Sequence, residues 1–320
     1  MKARRSRVAS AVLAFVVACA APLIAQDVAL KYLWKKGETL RYRMTQESNV
    51  NMTGVPGMGE MTVTTLIGQT LKMTAEDVAA DGTATVKTTF EAVKVSMGTP
   101  MGNFTYDSAA PAAQSDPMIA EIAKAMGALV GESVTIVTTP NGGVTKVSGM
   151  TQIGEKLTKA MPQAGAAGMS GLDSLMSDEA MTSQFKQGFS LLPNGPVKTG
   201  ASWKSEITIA NPLAPMTAAT SYTLKAVEAA GGAQMARIAV ATVLKPAGPP
   251  KPNAALPMNM QVGDGTGEGE MLFDVRLGRL QKSVIRSTQP MTMSMQGPDG
   301  SALSMQMLTK STVTMELIEK

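Results

Sequence analysis

The sequence predicts an α+β protein that is mostly antiparallel β, a curved open sheet or half-barrel built from two similar β-rich halves with about three inserted helices. Two observations carry this. Most of the chain after residue 26 alternates apolar and polar side chains with period two, interrupted by Gly, Asn and Pro turns. The plan seen before residue 150 also returns after the stretch Leu191–Trp203, LLPNGPVKTGASW, whose prolines and Asn-Gly cannot sit inside a regular element. Four segments follow: 1–25 a signal peptide, 26–150 a first β-rich half with one helix, 151–190 a helical and Gly/Ala-rich connector, and 191–320 a second β-rich half. Two packed β-sandwiches is the alternative arrangement of the same strands.

Taken in order, Leu30–Trp34 and Thr39–Met52 read as strands divided by Lys36-Gly37-Glu38. Gly54–Gly59 reads as a loop, and the odd positions from Met61 to Met73 share one face of a long strand. Ala80-Asp81-Gly82 is a hairpin signal. On the returning strand Val86 and Phe90 are even but Val93, Val95 and Met97 are odd, which predicts a β-bulge near Glu91-Ala92. Phe104–Tyr106 is a short extended piece. Ser115-Asp116-Pro117 starts a helix that carries an apolar stripe from Met118 to Val130 and stops at Gly131. Val134–Val137, a Pro140–Gly143 turn and Val144–Val147 make a second hairpin.

Thr151–Met161 is predicted helical, Pro162–Gly171 is a mobile Gly/Ala-rich run, and Ser177-Asp178-Glu179 opens a helix bearing Met181, Phe185 and Phe189. The second half offers Trp203–Ile209, Ala218–Val227, a Gly231-Gly232 turn and Met235–Leu244. Lys245–Glu270 holds five prolines and five glycines and reads as a long surface loop. Met271–Val275 and Leu280–Ser287 form a hairpin about Gly278, and two strands flank Gly297–Gly300. That last turn suits a type I turn followed by a left-handed glycine, with a G1 bulge. It pairs Met295 with Leu303, Met293 with Met305 and Met291 with Met307, on a face continued by Val313, Met315 and Leu317.

Four basic residues followed by a short apolar run give residues 1–25 the character of an export signal, with cleavage expected before Gln26. The competing reading is a lipobox, Val16-Val17-Ala18-Cys19, which would make Cys19 a lipidated N-terminus. No later apolar run is long enough to span a membrane as a helix. The expected address is therefore the periplasm or the extracellular space. Lys2, Arg4, Arg5 and Arg7 are four of the 29 basic residues, and none of the 25 acidic residues lies with them, so the net charge of +4 falls to zero from Gln26 onward. A neutral mature chain gives no electrostatic reason to bind nucleic acid.

There is no histidine, which excludes a histidine base, a His-dependent triad and imidazole metal sites. Cleavage before Gln26 removes the single cysteine, and with it thiolate chemistry. No cofactor is expected.

Leu192-Pro193, then Val197-Lys198-x-Gly200-x-x-Trp203, resembles a motif in a family of secreted bacterial proteins carrying a domain of unknown function. Phe104–Ser108, Gly142–Gly149, and Phe273-Asp274 followed by Gly278-Arg279-Leu280 fit the same family. The resemblance implies export and a two-part β fold. It implies no activity and no site residues.

Ser183-x-x-Lys186 and Lys198-Thr199-Gly200 echo serine acyl-transferases, but they sit a dozen residues apart across a turn, and the third motif of such enzymes is missing. The chain is therefore read as no enzyme. Asp264, Glu268 and Glu270 could offer oxygens to calcium, although the spacing is not an EF-hand's.

The positive anomaly is 26 methionines. Met291, Met293, Met295, Met305 and Met307 lie on one face of extended segments and are the candidate ligand-binding residues. Core packing is the bland explanation. The functional one is an adaptable surface for a lipid, acyl chain or peptide. The expected protein is thus an exported, non-catalytic envelope protein binding an apolar ligand. A purely structural or interaction module is the alternative, and Cu(I) binding by thioethers a minor one.

Overall fold

Thirteen strands form one sheet in the order β6-β5-β3-β2-β1-β13-β12-β11-β9-β8-β7, with β4 added to β3 and β10 to β12. This computed structural model describes residues 27–55, 59–100, 102–111, 117–160, 177–182, 192–209, 215–230, 232–248, 258–296 and 302–319. In the first half, β1 (Thr39–Val55), β2 (Gly59–Val78), β3 (Ala84–Thr99) and β4 (Gly102–Asp107) precede helix α1 (Pro117–Leu129). β5 (Ser133–Thr138), β6 (Val144–Ser148) and helix α2 (Met150–Ala160) follow. A short third helix covers 178–182. The second half contains β7 (Ser202–Ile209), β8 (Met216–Ala230), β9 (Ala233–Pro246), β10 (Met258–Val262), β11 (Gly265–Asp274), β12 (Arg279–Gln296) and β13 (Ala302–Glu319).

Every pairing is antiparallel, and the halves join where the last strand, β13, lies against the first, β1. Strands β6 and β7 stand at the outer ends of the order, so the sheet is open. The reading as one open sheet with inserted helices therefore holds against two packed sandwiches.

The curvature has identifiable causes. Glu76, Glu91, Lys225 and Gln281 are each passed over in the pairing of their strands, and such bulges sharpen the local twist. The Glu91 bulge is the one the parity switch predicts, and its carboxylate accepts from Arg41 Nε at 2.8 Å. A second device is β11, where Gly265, Gly267 and Gly269 alternate with Thr266, Glu268 and Glu270. A Cβ on Gly269 would lie 2.8 Å from Ile285 Cα, and one on Gly265 2.9 Å from Thr288 O, so only glycine lets β11 fold this closely onto β12.

Three expectations are overturned. Lys245–Glu270 is no long surface loop, because β10 and most of β11 lie within it. Alternating glycines read as loop composition when only counted, but here they are the inner positions of a strand. Leu30–Trp34 is extended but belongs to no strand. Leu280–Ser287 and Met291–Met295 are one strand, β12, which runs through Pro290. Proline is tolerated there because Pro290 falls where β10 ends and β11 has not begun, and its carbonyl accepts from Gly263 N–H at 3.0 Å.

The last hairpin has the predicted register: Met291↔Met307, Met293↔Met305 and Met295↔Leu303. Its turn, Gly297–Gly300, lies outside the described residues, as do Pro162–Gly171, Ser183, Phe185, Lys186, Phe189 and residues 1–26.

The helices cover part of the first half. Ala125 and Leu129 of α1 and Ile153 and Leu157 of α2 pack with Phe90, Val134 and Ile136. Asp178, read as opening its own helix, also caps α2: its carboxylate accepts from Gly149, Met150 and Thr151 N–H at 2.7–3.1 Å.

Candidate functional site

Residues 27–36 cross one end of the curved sheet as a strap. Leu30 is 1 % exposed, and Tyr32 and Trp34 pack inward while Lys31, Leu33 and Lys35 face out. The strap keeps the expected period-two alternation, but its backbone hydrogen bonds go to several different partners. Val28 and Val197 exchange two hydrogen bonds of 2.9 Å. Tyr32 N–H donates to Pro140 O at 2.7 Å, and Leu33 N–H to Gly278 O at 3.0 Å. The strap thereby ties the hinge to the tips of two hairpins, one from each half.

The motif residues that carry the family resemblance meet here. Phe273 is fully buried, with its ring edge-on to Tyr32 at 5.4 Å. Asp274, 2 % exposed, accepts from Leu277 N–H at 2.8 Å and holds the β11–β12 turn. Gly278 has φ +60°, and a Cβ on it would come within 2.6 Å of Leu33 N. Arg279 Nη2 donates to Glu38 Oε1 at 2.7 Å, with the two side chains 7 % and 18 % exposed. From the hinge, Leu192 is buried and donates its N–H to Asn141 O at 3.2 Å, and Trp203 stacks on Tyr222 at 5.7 Å.

Beneath the strap lies a half-enclosed cavity of about 140 Å³. Tyr32 and Trp34 form its roof. Tyr42, Met73 and Val86 from β1–β3, with Ile136 and Val144 from β5–β6, form one wall. Leu280 and Met315 form the other. The Tyr42 hydroxyl donates to Leu280 O at 2.9 Å, and Thr138 Oγ1 to Thr139 O at 3.4 Å.

Burial holds the phenols neutral here. The pKa of Tyr32 is pushed well above the ordinary tyrosine range by desolvation and then by Tyr222. Tyr42 is raised likewise by desolvation, Tyr32 and Glu38, against a lowering by Arg279. Desolvation pushes Tyr222 up to about 12. Below about pH 10 both folded and unfolded tyrosines are protonated, and the contribution of these groups to stability is fully present. As pH rises further the unfolded chain ionises first. Stability should then fall by up to roughly 1.4 kcal/mol per pH unit for each group, until the folded pKa is reached. Urea denaturation between pH 8 and 12 checks this, and Tyr222→Phe should make the fall shallower.

Of the methionines predicted to bind ligand, Met291, Met293, Met305 and Met307 lie on the same inner face, but elsewhere, and the side chain of Met295 lies outside the described residues. Met307 to Met315 is eight residues of β13, about 27 Å at roughly 3.4 Å each. At that far end one row runs Val262–Met291–Met307–Met52–Met61 across five strands, and a second runs Met260–Met293–Met305. Met295 pairs with Met258 and Leu303. Met52, Met61, Met291, Met293, Met305 and Met307 are half-buried. Between the rows and the cavity Ser287, Ser311, Ser48 and Thr65 make a hydroxyl belt, with Ser287 and Ser311 Oγ atoms 2.8 Å apart. Sequence reasoning found the rows but missed the cavity. The available signal was the crowding of scarce aromatics at Tyr32, Trp34 and Tyr42.

The other candidates do not assemble. Glu270 is ion-paired with Arg237 at 2.8 Å, and among the described residues no three His, Cys, Asp or Glu side chains could hold a metal ion. Lys198 is exposed and 4.0 Å from Asp27. No helix among the described residues is long and apolar enough to cross a membrane.

A family of unknown function, DUF6263, matches residues 81–279. The chain belongs to that family. The DUF6263 match takes in the Gly142 hairpin, the hinge motif and Phe273–Arg279, whereas the strap, Tyr42, Met73, Leu280 and Met315 lie outside it. No curated protein matches. Among solved structures, lipovitellin, studied for its lipid–protein interactions, is 10 % identical with a TM-score of 0.45, over 89 % of this chain and 25 % of lipovitellin. This chain thus spans about a quarter of that protein's length. DynF from the dynemicin biosynthesis pathway of Micromonospora chersina is 11 % identical with a TM-score of 0.21, over 93 % of this chain and 88 % of DynF. An outer membrane channel from Pseudomonas putida F1 is 6 % identical with a TM-score of 0.24, over 89 % and 97 %. Scores this low establish no shared fold.

Proposed function

We propose that this DUF6263 protein is an exported, non-catalytic envelope protein that holds an apolar ligand, a lipid, acyl chain or peptide, along the inner face of its open sheet. The observation that supports this reading is the pair of methionine rows. Large apolar side chains from β1, β2, β12 and β13 occupy adjoining positions on one face, yet stay half-buried. A methionine that filled a dry core would be closed off. A half-covered row of flexible thioethers can instead re-pack around varied apolar shapes.

Protein purified from its own envelope should carry a lipid-sized adduct in native mass spectrometry, which solvent extraction removes. Met293→Gln should weaken retention of that adduct several-fold and leave the melting temperature nearly unchanged. A sharp fall in melting temperature, with no adduct in the parent protein, would return the rows to a packing role.

A further inference from the structure

The apolar-ligand reading rests on the methionine rows; the cavity about 27 Å away along β13 is a separate place with its own chemistry. We propose that the cavity beneath the strap binds the terminal segment of a hydrocarbon chain, and that it does so only while the strap is docked. The inference rests on the apolar-ligand reading for its ligand class, but not for its location.

Size and lining select the occupant. About 140 Å³ is close to the roughly 150 Å³ of an engineered apolar cavity that stays dry and takes up benzene, so a few carbons fit and a whole lipid does not. Two of the lining hydroxyls are engaged: that of Tyr42 serves Leu280 O and that of Thr138 serves Thr139 O, and the rest of the lining is mostly hydrocarbon. A charged headgroup brought here would lose its hydration against a mostly hydrocarbon lining with no charged side chain, whereas a hydrocarbon end loses nothing. The cavity is not fully enclosed, so the remainder of a longer molecule has a way out.

The strap makes the site conditional. Tyr32 and Trp34 are its roof, Met73 and Val86 belong to the first half of the chain, and Leu280 and Met315 to the second. No one of these parts encloses the volume alone. Tyr32 and Leu33 hold the roof through one backbone hydrogen bond to each half, at Pro140 and Gly278. An occupant therefore favours the docked strap, and an undocked strap lowers affinity in proportion to its population.

The test uses the mature chain labelled with ¹³C-methyl methionine and titrated with benzene. Met73 and Met315 methyl signals should shift with saturation, while those of Met52, Met61, Met293 and Met305 stay put. Val144→Phe fills the cavity and should abolish the shift. If that variant does not fold, Ile136→Phe tests the same volume from the neighbouring strand. Gly278→Ala touches no wall, but its new Cβ meets Leu33, so it should weaken benzene binding roughly tenfold if the strap is then docked a tenth of the time. Shifts confined to the distal methionines, or binding unaltered by the filling variants, would overturn the site. Unaltered binding in Gly278→Ala would overturn its dependence on the strap. Benzene at Met73 and Met315 in a protein that carries no envelope lipid would leave the cavity standing and remove the larger function.

Discussion

Phe273→Ala is expected to cost roughly 3–5 kcal/mol and to loosen the closed end of the sheet before any other part. The ring is fully buried beside Leu30, Leu192, Leu224 and Ile238, and it meets Tyr32 of the strap edge-on. Its neighbours come from the strap, the hinge and two strands, so no single side chain can move to fill the void. The loss thus combines transfer and cavity contributions with an aromatic contact worth roughly 0.5–1.5 kcal/mol. Urea denaturation gives the size. Hydrogen exchange at Tyr32 and Leu33, whose N–H groups hold the strap, should show the earliest loss of protection.

The second large effect belongs to Arg279. Arg279→Ala would leave the Glu38 carboxylate mostly buried beside an emptied site, and stranding one member of a buried pair costs roughly 3–5 kcal/mol. Glu38 keeps 18 % of its side chain exposed, which places the expectation near the lower figure. The pair itself is worth less than its loss suggests, because both charges were taken out of water to form it. Arg279→Met combined with Glu38→Gln should therefore recover most of the stability that Arg279→Ala loses. A double-mutant cycle in urea measures the coupling, and additivity of the single changes would show that the pair does not act as a unit.

These two residues also show where reading a sequence succeeds. Phe273, Gly278 and Arg279 stand out as a pattern because three separate requirements fall within seven positions: a core ring, a left-handed close approach and a buried cation. The bulge at Glu91 and the register of Met293 with Met305 were legible because parity and turn chemistry are local properties. The partner of Leu30–Trp34 was not, since alternation records which side of an extended chain is buried and not what accepts its hydrogen bonds. The glycines of β11 misled for the opposite reason. Their meaning depends on how closely β12 approaches, which composition does not contain. For the site, methionine periodicity led to the rows, whereas the cavity is assembled from residues 32 to 315 and has no sequence neighbourhood at all.

The pairing of β1 with β13 sets the order in which the molecule can be made. Strands β1, β2 and β3 can zip up as a meander from neighbouring sequence, and so can β11 with β12. Yet the middle of the sheet is a contact between residues far apart in sequence, as with Tyr42 and Leu317, 275 positions apart. Until the last eighteen residues of β13 arrive, β1 and β12 each present a long unpaired edge. High contact order of this kind slows folding and lengthens the interval in which such edges can pair with another chain. A nascent or truncated chain is therefore most adhesive along the line that later becomes the best protected part of the fold, and a chaperone that shields β1 would act on the final strand's seat.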